Sequence, residues 1–84
     1  MTAEPVDSAR ALSRFEIGER WGDPDEQSGS VNDPRTGEEH GIRFNEKWIY
    51  LLPGGERRLV YWLRYDFSGC VRVSSDGAVC SEAP

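Results

Sequence analysis

The stretch from residue 47 to residue 65 limits what this chain can fold into more than any other. It reads Lys-Trp-Ile-Tyr-Leu-Leu, then Pro-Gly-Gly, then Glu-Arg-Arg-Leu-Val-Tyr-Trp-Leu-Arg-Tyr. Aromatic and β-branched residues on both sides of a Pro-Gly-Gly breaker predict a β-hairpin. With Gly54-Gly55 as the turn, Leu52 faces Arg57, Tyr50 faces Leu59, Ile49 faces Val60 and Trp48 faces Tyr61. A four-residue loop over 53–56 gives the same register. A slip of one residue would exchange the two sides of one strand, because side chains alternate with a period of two.

In this register one face carries Trp48, Tyr50, Leu52, Leu59, Tyr61, Leu63 and Tyr65, dense enough to be the core side. The other carries Ile49, Leu51, Val60 and Trp62, interleaved with Lys47, Arg58 and Arg64. That second face has two readings. Either the sheet curls, or the segment around Phe15 and Ile17 packs there, and the face is further core. Otherwise it stays open as a partner surface, with Ile49, Leu51, Arg58, Val60, Trp62 and Arg64 as the contact patch. Trp, Tyr and Arg dominate many binding interfaces, and covering Trp62 with its neighbours would be worth several kcal/mol at about 25 cal/mol per Å².

Around the hairpin the signals are weaker. Residues 1–13 are expected to be a flexible polar segment, with a weak helix signal over 9–13 capped by Asp7 or Ser8. Residues 14–21 read as a strand, with Phe15, Ile17 and Trp21 on one side at period two and Gly18 marking a bulge. Residues 22–41 read as a long acidic loop holding Asp23, Asp25, Glu26, Asp33, Glu38 and Glu39. Val31 is its only aliphatic residue, and a short extended piece around 30–32 is the most it suggests. Phe67-Ser68-Gly69 reads as a break, residues 70–74 as a strand, Asp76-Gly77 as a type I′ turn and 78–80 as a short return strand.

The expected fold is therefore mainly all-β. It is a small antiparallel sheet or an SH3-like, partly open barrel of four or five strands, in one domain over 14–83. At 84 residues such a chain buries only about 60% of its unfolded surface. If residues 1–40 do not pack, little more than forty ordered residues remain, near the limit where oligomerisation is needed. That arithmetic favours either docking of the amino-terminal strand or a homodimer.

Charge narrows the partner class. Residues 1–40 hold ten acidic and four basic side chains, whereas residues 41–84 hold five and six, for a net charge of −5. This balance argues against duplex or general phosphate binding, which wants a basic field. Aromatic residues alternating with Arg could stack single-stranded bases, with Trp48, Tyr50, Trp62 and Arg64 as the candidates. The acidic total makes nucleic acid the weaker partner. An acidic loop could instead steer the chain to a basic protein. No apolar h-region or run near 18 residues is present, so a soluble cytoplasmic protein with no membrane partner is expected.

Chemistry is not signalled. Cys70, Cys80 and His40 fall short of the four closely spaced ligands of structural zinc, so no metal or cofactor is expected. In a reducing compartment the two cysteines should be thiols. A two-residue turn at Asp76-Gly77 would put them on opposite faces, and a three-residue loop over 75–77 would put them diagonally on one. His40 beside Glu38 and Glu39 reads as a solvated residue, and no nucleophile–base pair can be placed. The expected function is a non-catalytic protein-binding module, a small regulatory or accessory protein. A structural homodimeric subunit and a single-stranded nucleic-acid binder are the alternatives.

Overall fold

The computed structural model describes residues 14–82; the expectations for residues 1–13 lie outside them. Seven strands and one helix follow in chain order: α1 (Arg14–Trp21), β1 (Glu26–Gly29), β2 (Gly37–Glu39), β3 (Ile42–Phe44), β4 (Glu46–Leu51), β5 (Arg57–Leu63), β6 (Asp66–Val73) and β7 (Val79–Ser81). Five form an antiparallel sheet in the order β1-β4-β5-β6-β7, while β2 and β3 form a separate two-stranded ribbon. The sheet is open, with β1 and β7 as its two edges, so the barrel alternative does not hold.

The hairpin is present, but its register differs from expectation by one residue. Leu52 N–H donates to the Glu56 carbonyl at 2.8 Å, which closes a three-residue loop over Pro53–Gly55. Trp48 therefore pairs with Val60, Ile49 with Leu59, Tyr50 with Arg58 and Leu51 with Arg57. Proline fits the first loop position, and Gly54 and Gly55 take up positive φ angles of 76° and 79° that a loop of this length needs. The single-residue shift puts Val60 and Trp62 with Trp48 and Tyr50, and leaves Leu59 and Tyr61 with Ile49 and Leu51.

Different elements pack on the two faces of the sheet. On one side Trp48, Tyr50, Val60, Trp62 and Cys70 pack with Ile17 of α1, joined by half-buried Trp21, Leu52 and Phe67. On the other, Leu59, Tyr61, Val71 and Val73 pack with Ile42, Phe44 and Ile49. We call these the helix face and the ribbon face.

Residues 14–21 form a helix where a strand was expected. Period two groups Phe15 with Ile17 and Trp21, yet Phe15 is 73% exposed and Ile17 fully buried. The spacing that matters is Arg14, Ile17 and Trp21, which share one helical face at i, i+3 and i+7. Gly22 ends the helix: its N–H reaches the Gly18 carbonyl at 2.7 Å with φ at +76°, a left-handed C-terminal cap. The Tyr50 hydroxyl donates to the Gly22 carbonyl at 2.9 Å and ties this cap to the sheet.

Turns elsewhere depart from expectation for local reasons. β5 and β6 join at Arg64 and Tyr65, non-glycine residues with φ of 52° and 80°, so no Asn-Gly or Asp-Gly signal marks the turn. Tyr65 is consequently exposed instead of core. Phe67 to Gly69 belong to β6, where Tyr61 pairs with Gly69 and Trp62 with Phe67, leaving Ser68 as a bulge. A Cβ on Gly69 would lie 2.8 Å from Ile42 Cδ1, so the glycine is what lets the ribbon sit down on the sheet. Ser74 N–H bonds the Ala78 carbonyl and Gly77 N–H the Ser74 carbonyl, each at 2.9 Å, making the last hairpin a three-residue loop. The acidic segment is not one loop either. It supplies β1 and β2, and residues 30–32 hold no strand.

Candidate functional site

Four hydrogen-bond donors converge on one buried carboxylate under α1. Glu46, fully buried at the start of β4, receives the Arg14 guanidinium as a fork, with Nη1 to Oε1 at 2.6 Å and Nη2 to Oε2 at 2.8 Å. Trp48 Nε1 donates to Oε2 at 2.9 Å and Gln27 Nε2 donates to the same oxygen. Burial alone would raise the carboxyl pKa, but the Arg14 fork and the Trp48 donor outweigh it and hold Glu46 below its usual range. The guanidinium also lies 5.0 Å from the Trp48 ring and 5.4 Å from the Trp62 ring, so its cationic face is spent on two indoles. This cluster fastens the helix to the sheet, with both oxygens of the Glu46 carboxylate hydrogen-bonded.

A second buried network sits beside it. Asn45 gives its amide to the carbonyls of Val31 and Asp33 at 3.2 and 3.1 Å and accepts Arg64 N–H at 3.0 Å. Arg64 Nη1 donates to the Asp33 carbonyl at 2.6 Å. On the ribbon face Glu39 accepts Lys47 Nζ at 3.1 Å and the Tyr61 hydroxyl at 2.8 Å. Burial, reinforced by Glu39, pushes the Tyr61 hydroxyl upward, so it remains a donor. At the carboxyl-terminal end Arg58 donates Nε and Nη2 to Glu82 at 3.0 and 2.9 Å, with its guanidinium 3.9 Å from the Trp21 ring.

These networks scatter the residues singled out from sequence. Val60 and Trp62 are fully buried beneath α1, because the three-residue loop turns them to the helix face. Arg58 shares that face and is bound to Glu82, while Arg64 sits in the β5–β6 turn holding the 33–34 backbone. Ile49 and Leu51 lie on the ribbon face. The six therefore do not form one patch. Trp48, Tyr50 and Trp62 are buried too and offer no stacking surface for bases.

The acidic residues are spread as well. Asp25 accepts Leu51 N–H at 2.7 Å, Asp33 accepts Arg35 N–H at 3.0 Å, and Glu39 is held as above. Asp23, Glu26 and Glu38 are exposed on the α1–β1 connection, β1 and β2 respectively.

One open surface remains on the ribbon face. Register places Leu51, Arg57, Val73 and Val79 in a row across β4, β5, β6 and β7, and Ile49, Leu59, Val71 and Ser81 in the next. The ribbon covers only the far end of these strands, where Phe44 meets Tyr61 at 4.9 Å between ring centres. The near end is a groove of about 520 Å³ lined by Ile49, Leu59, Val73 and Val79, with Glu39, His40 and Lys47 on one wall and Arg57 and Gly77 among the rest. Leu51 at 56% and Val79 at 42% exposure stand at its margins. Sequence reasoning reached Ile49 and Leu51 but missed Leu59, Val73 and Val79, whose placement follows only from the three-residue loops.

Cys70 and Cys80 are both free thiols, Cys70 buried and Cys80 exposed. They share the helix face diagonally, since Cys80 pairs with Arg72. Burial and the nearby Glu82 carboxylate push the Cys70 thiol up to about 12, which makes it a poor nucleophile. Among the described residues no three His, Cys, Asp or Glu side chains gather as metal ligands, and no helix is long and apolar enough to cross a membrane. Comparison of the chain with family models, curated proteins and solved structures finds no match.

Proposed function

We propose that this chain is a non-catalytic protein-binding module that receives an apolar segment of a protein partner in the ribbon-face groove. The observation that carries this reading is that exposed Leu51 and Val79 stand at the margins of a groove whose floor is Leu59 and Val73. A groove with an apolar floor and a few polar groups on its walls suits one or two anchoring side chains. Lys47, Arg57, Glu39 and His40 on the walls supply orientation. The net charge of −5, with Glu26 and Glu38 exposed, favours a partner that is basic around its apolar anchor.

Leu51→Asp tests the site. Its side chain is half exposed, so the substitution should leave the far-ultraviolet circular dichroism and the melting temperature within a few degrees of wild type. Quantitative co-purification from the source cells, with wild type and Leu51→Asp as baits, should then show a partner retained by the first and depleted at least tenfold by the second. A Glu19→Gln bait, altered on the exposed side of α1, should keep it. Identical partner sets for wild type and Leu51→Asp would remove the groove from consideration.

A further inference from the structure

We propose that β7 is a self-pairing edge, along which two copies of this chain join antiparallel about a two-fold axis at Cys80. This rests on the sheet edge and not on the groove.

Edge strands are usually guarded against pairing by a Lys, a Pro, an inward charge or a covering loop. β1 is guarded: it carries Glu26, and it ends at Gly29, whose φ is +76° and whose Cβ position lies 2.2 Å from the Asn45 carbonyl oxygen. β7 is Val79-Cys80-Ser81, uncharged, without proline and exposed at all three residues. No described residue bonds the outer side of its backbone.

Hydrogen-bond parity fixes which groups face outward. Ser74 N–H bonds the Ala78 carbonyl and Glu82 N–H bonds the Cys70 carbonyl, so residues 78, 80 and 82 direct their backbone groups at β6. Val79 and Ser81 direct theirs away from the sheet. An antiparallel copy can therefore exchange N–H and C=O bonds between Val79 and its own Ser81, and again between Ser81 and its own Val79, four bonds in all. Cys80 then faces the second Cys80 as the non-hydrogen-bonded pair, with Cα atoms about 4.5 Å apart. That spacing falls within the range of about 4.4–6.8 Å that a disulfide spans. Like net charge does not concentrate at the seam, because Glu82 beside Ser81 is bound to Arg58 and lies 3.9 Å from Arg72, and Glu56, which shares a cleft with Cys80, is paired with Arg72.

Disulfide trapping tests both the pairing and its register. With diamide, two Cys80 thiols give two electrons and two protons to the diazene, which becomes the hydrazine, and a covalent dimer forms. The wild-type chain should trap rapidly, Cys70→Ser equally so, and Cys80→Ser not at all. Val79→Cys in a Cys80→Ser background keeps an exposed thiol on the same strand. Its two copies would lie about 8 Å apart on the diagonal, so trapping should fall at least tenfold. Ser81→Pro deletes an outward N–H without touching the β6 ladder; it should stay folded and sediment as a monomer where wild type shows a concentration-dependent dimer. Equal trapping through positions 79 and 80 would overturn the proposal, as would a wild-type monomer at every concentration. A dimer indifferent to Ser81→Pro would overturn it too.

Discussion

Trp62→Ala is expected to remove a large share of the protein's stability. The indole is completely buried at the centre of the helix face, 4.9 Å from the Trp48 ring, 5.9 Å from Phe67 and 5.4 Å from the Arg14 guanidinium carbon. Truncating a buried Trp to Ala costs about 3–5 kcal/mol. Domains of this size are stable by only about 4–12 kcal/mol, so the loss consumes a large share of the total. Urea unfolding followed by far-ultraviolet circular dichroism should show the midpoint falling by roughly 2–3 M at the usual slope for a small domain. Trp62→Phe should cost much less, because the phenyl ring keeps most of the packing. It also removes the indole Nε1, a buried donor with no partner among the described residues, and an unmade buried hydrogen bond costs about 1–3 kcal/mol. A Phe variant as unstable as the Ala variant would mean that this pocket is not filled as described.

Arg14→Ala is the second large effect, and it carries a pH signature. Removing the fork leaves the buried Glu46 carboxylate with only the Trp48 and Gln27 donors, and breaking a buried ion pair costs about 3–5 kcal/mol. Because Arg14 is about one-third exposed, the lower end of that range is expected. Water can partly replace the lost charge. Burial raises the Glu46 pKa less than Arg14 and Trp48 lower it, so the folded value lies below the unfolded one. The resulting stabilisation is fully present above the unfolded carboxylate value of about 4.3. It is lost as pH falls through the lower folded value. Glu82 is likewise lowered, by the Arg58 bond. Wild-type stability should thus fall from about pH 5 downward, whereas Glu46→Gln starts lower at neutral pH and declines less steeply. Parallel acid limbs for the two proteins, in urea midpoints taken between pH 7 and pH 3, would contradict the assignment of this carboxylate.

How far the sequence reveals this arrangement depends on which interactions are local. The hairpin over residues 46–63 was legible because aromatic and β-branched runs flank a breaker, a signal contained in adjacent residues. Its register was not, since Pro-Gly-Gly suits loops of two, three or four residues, and one residue decides which side Val60 and Trp62 occupy. The turn at Arg64-Tyr65 carries no glycine. Its positive φ angles are stabilised by contacts far away in the chain, Asn45 Oδ1 accepting Arg64 N–H, and such long-range support leaves no local trace. The helix over 14–21 had a usable signal, Arg14, Ile17 and Trp21 at helical spacing before a capping Gly22. Gly18 and the alternation of Phe15 with Ile17 obscured it. The candidate groove suffered most. Its apolar floor is assembled from one residue on each of four strands, so a single mistaken register removes half of it.

Solvent accessibility of methyl groups tests the central claim most directly, namely that α1 seals one face of the sheet while the other stays partly open. In a methyl NMR spectrum, a soluble gadolinium chelate should strongly attenuate Leu51 and Val79 and spare Ile17 and Val60. Attenuation of Ile17 and Val60 to the same extent would contradict it.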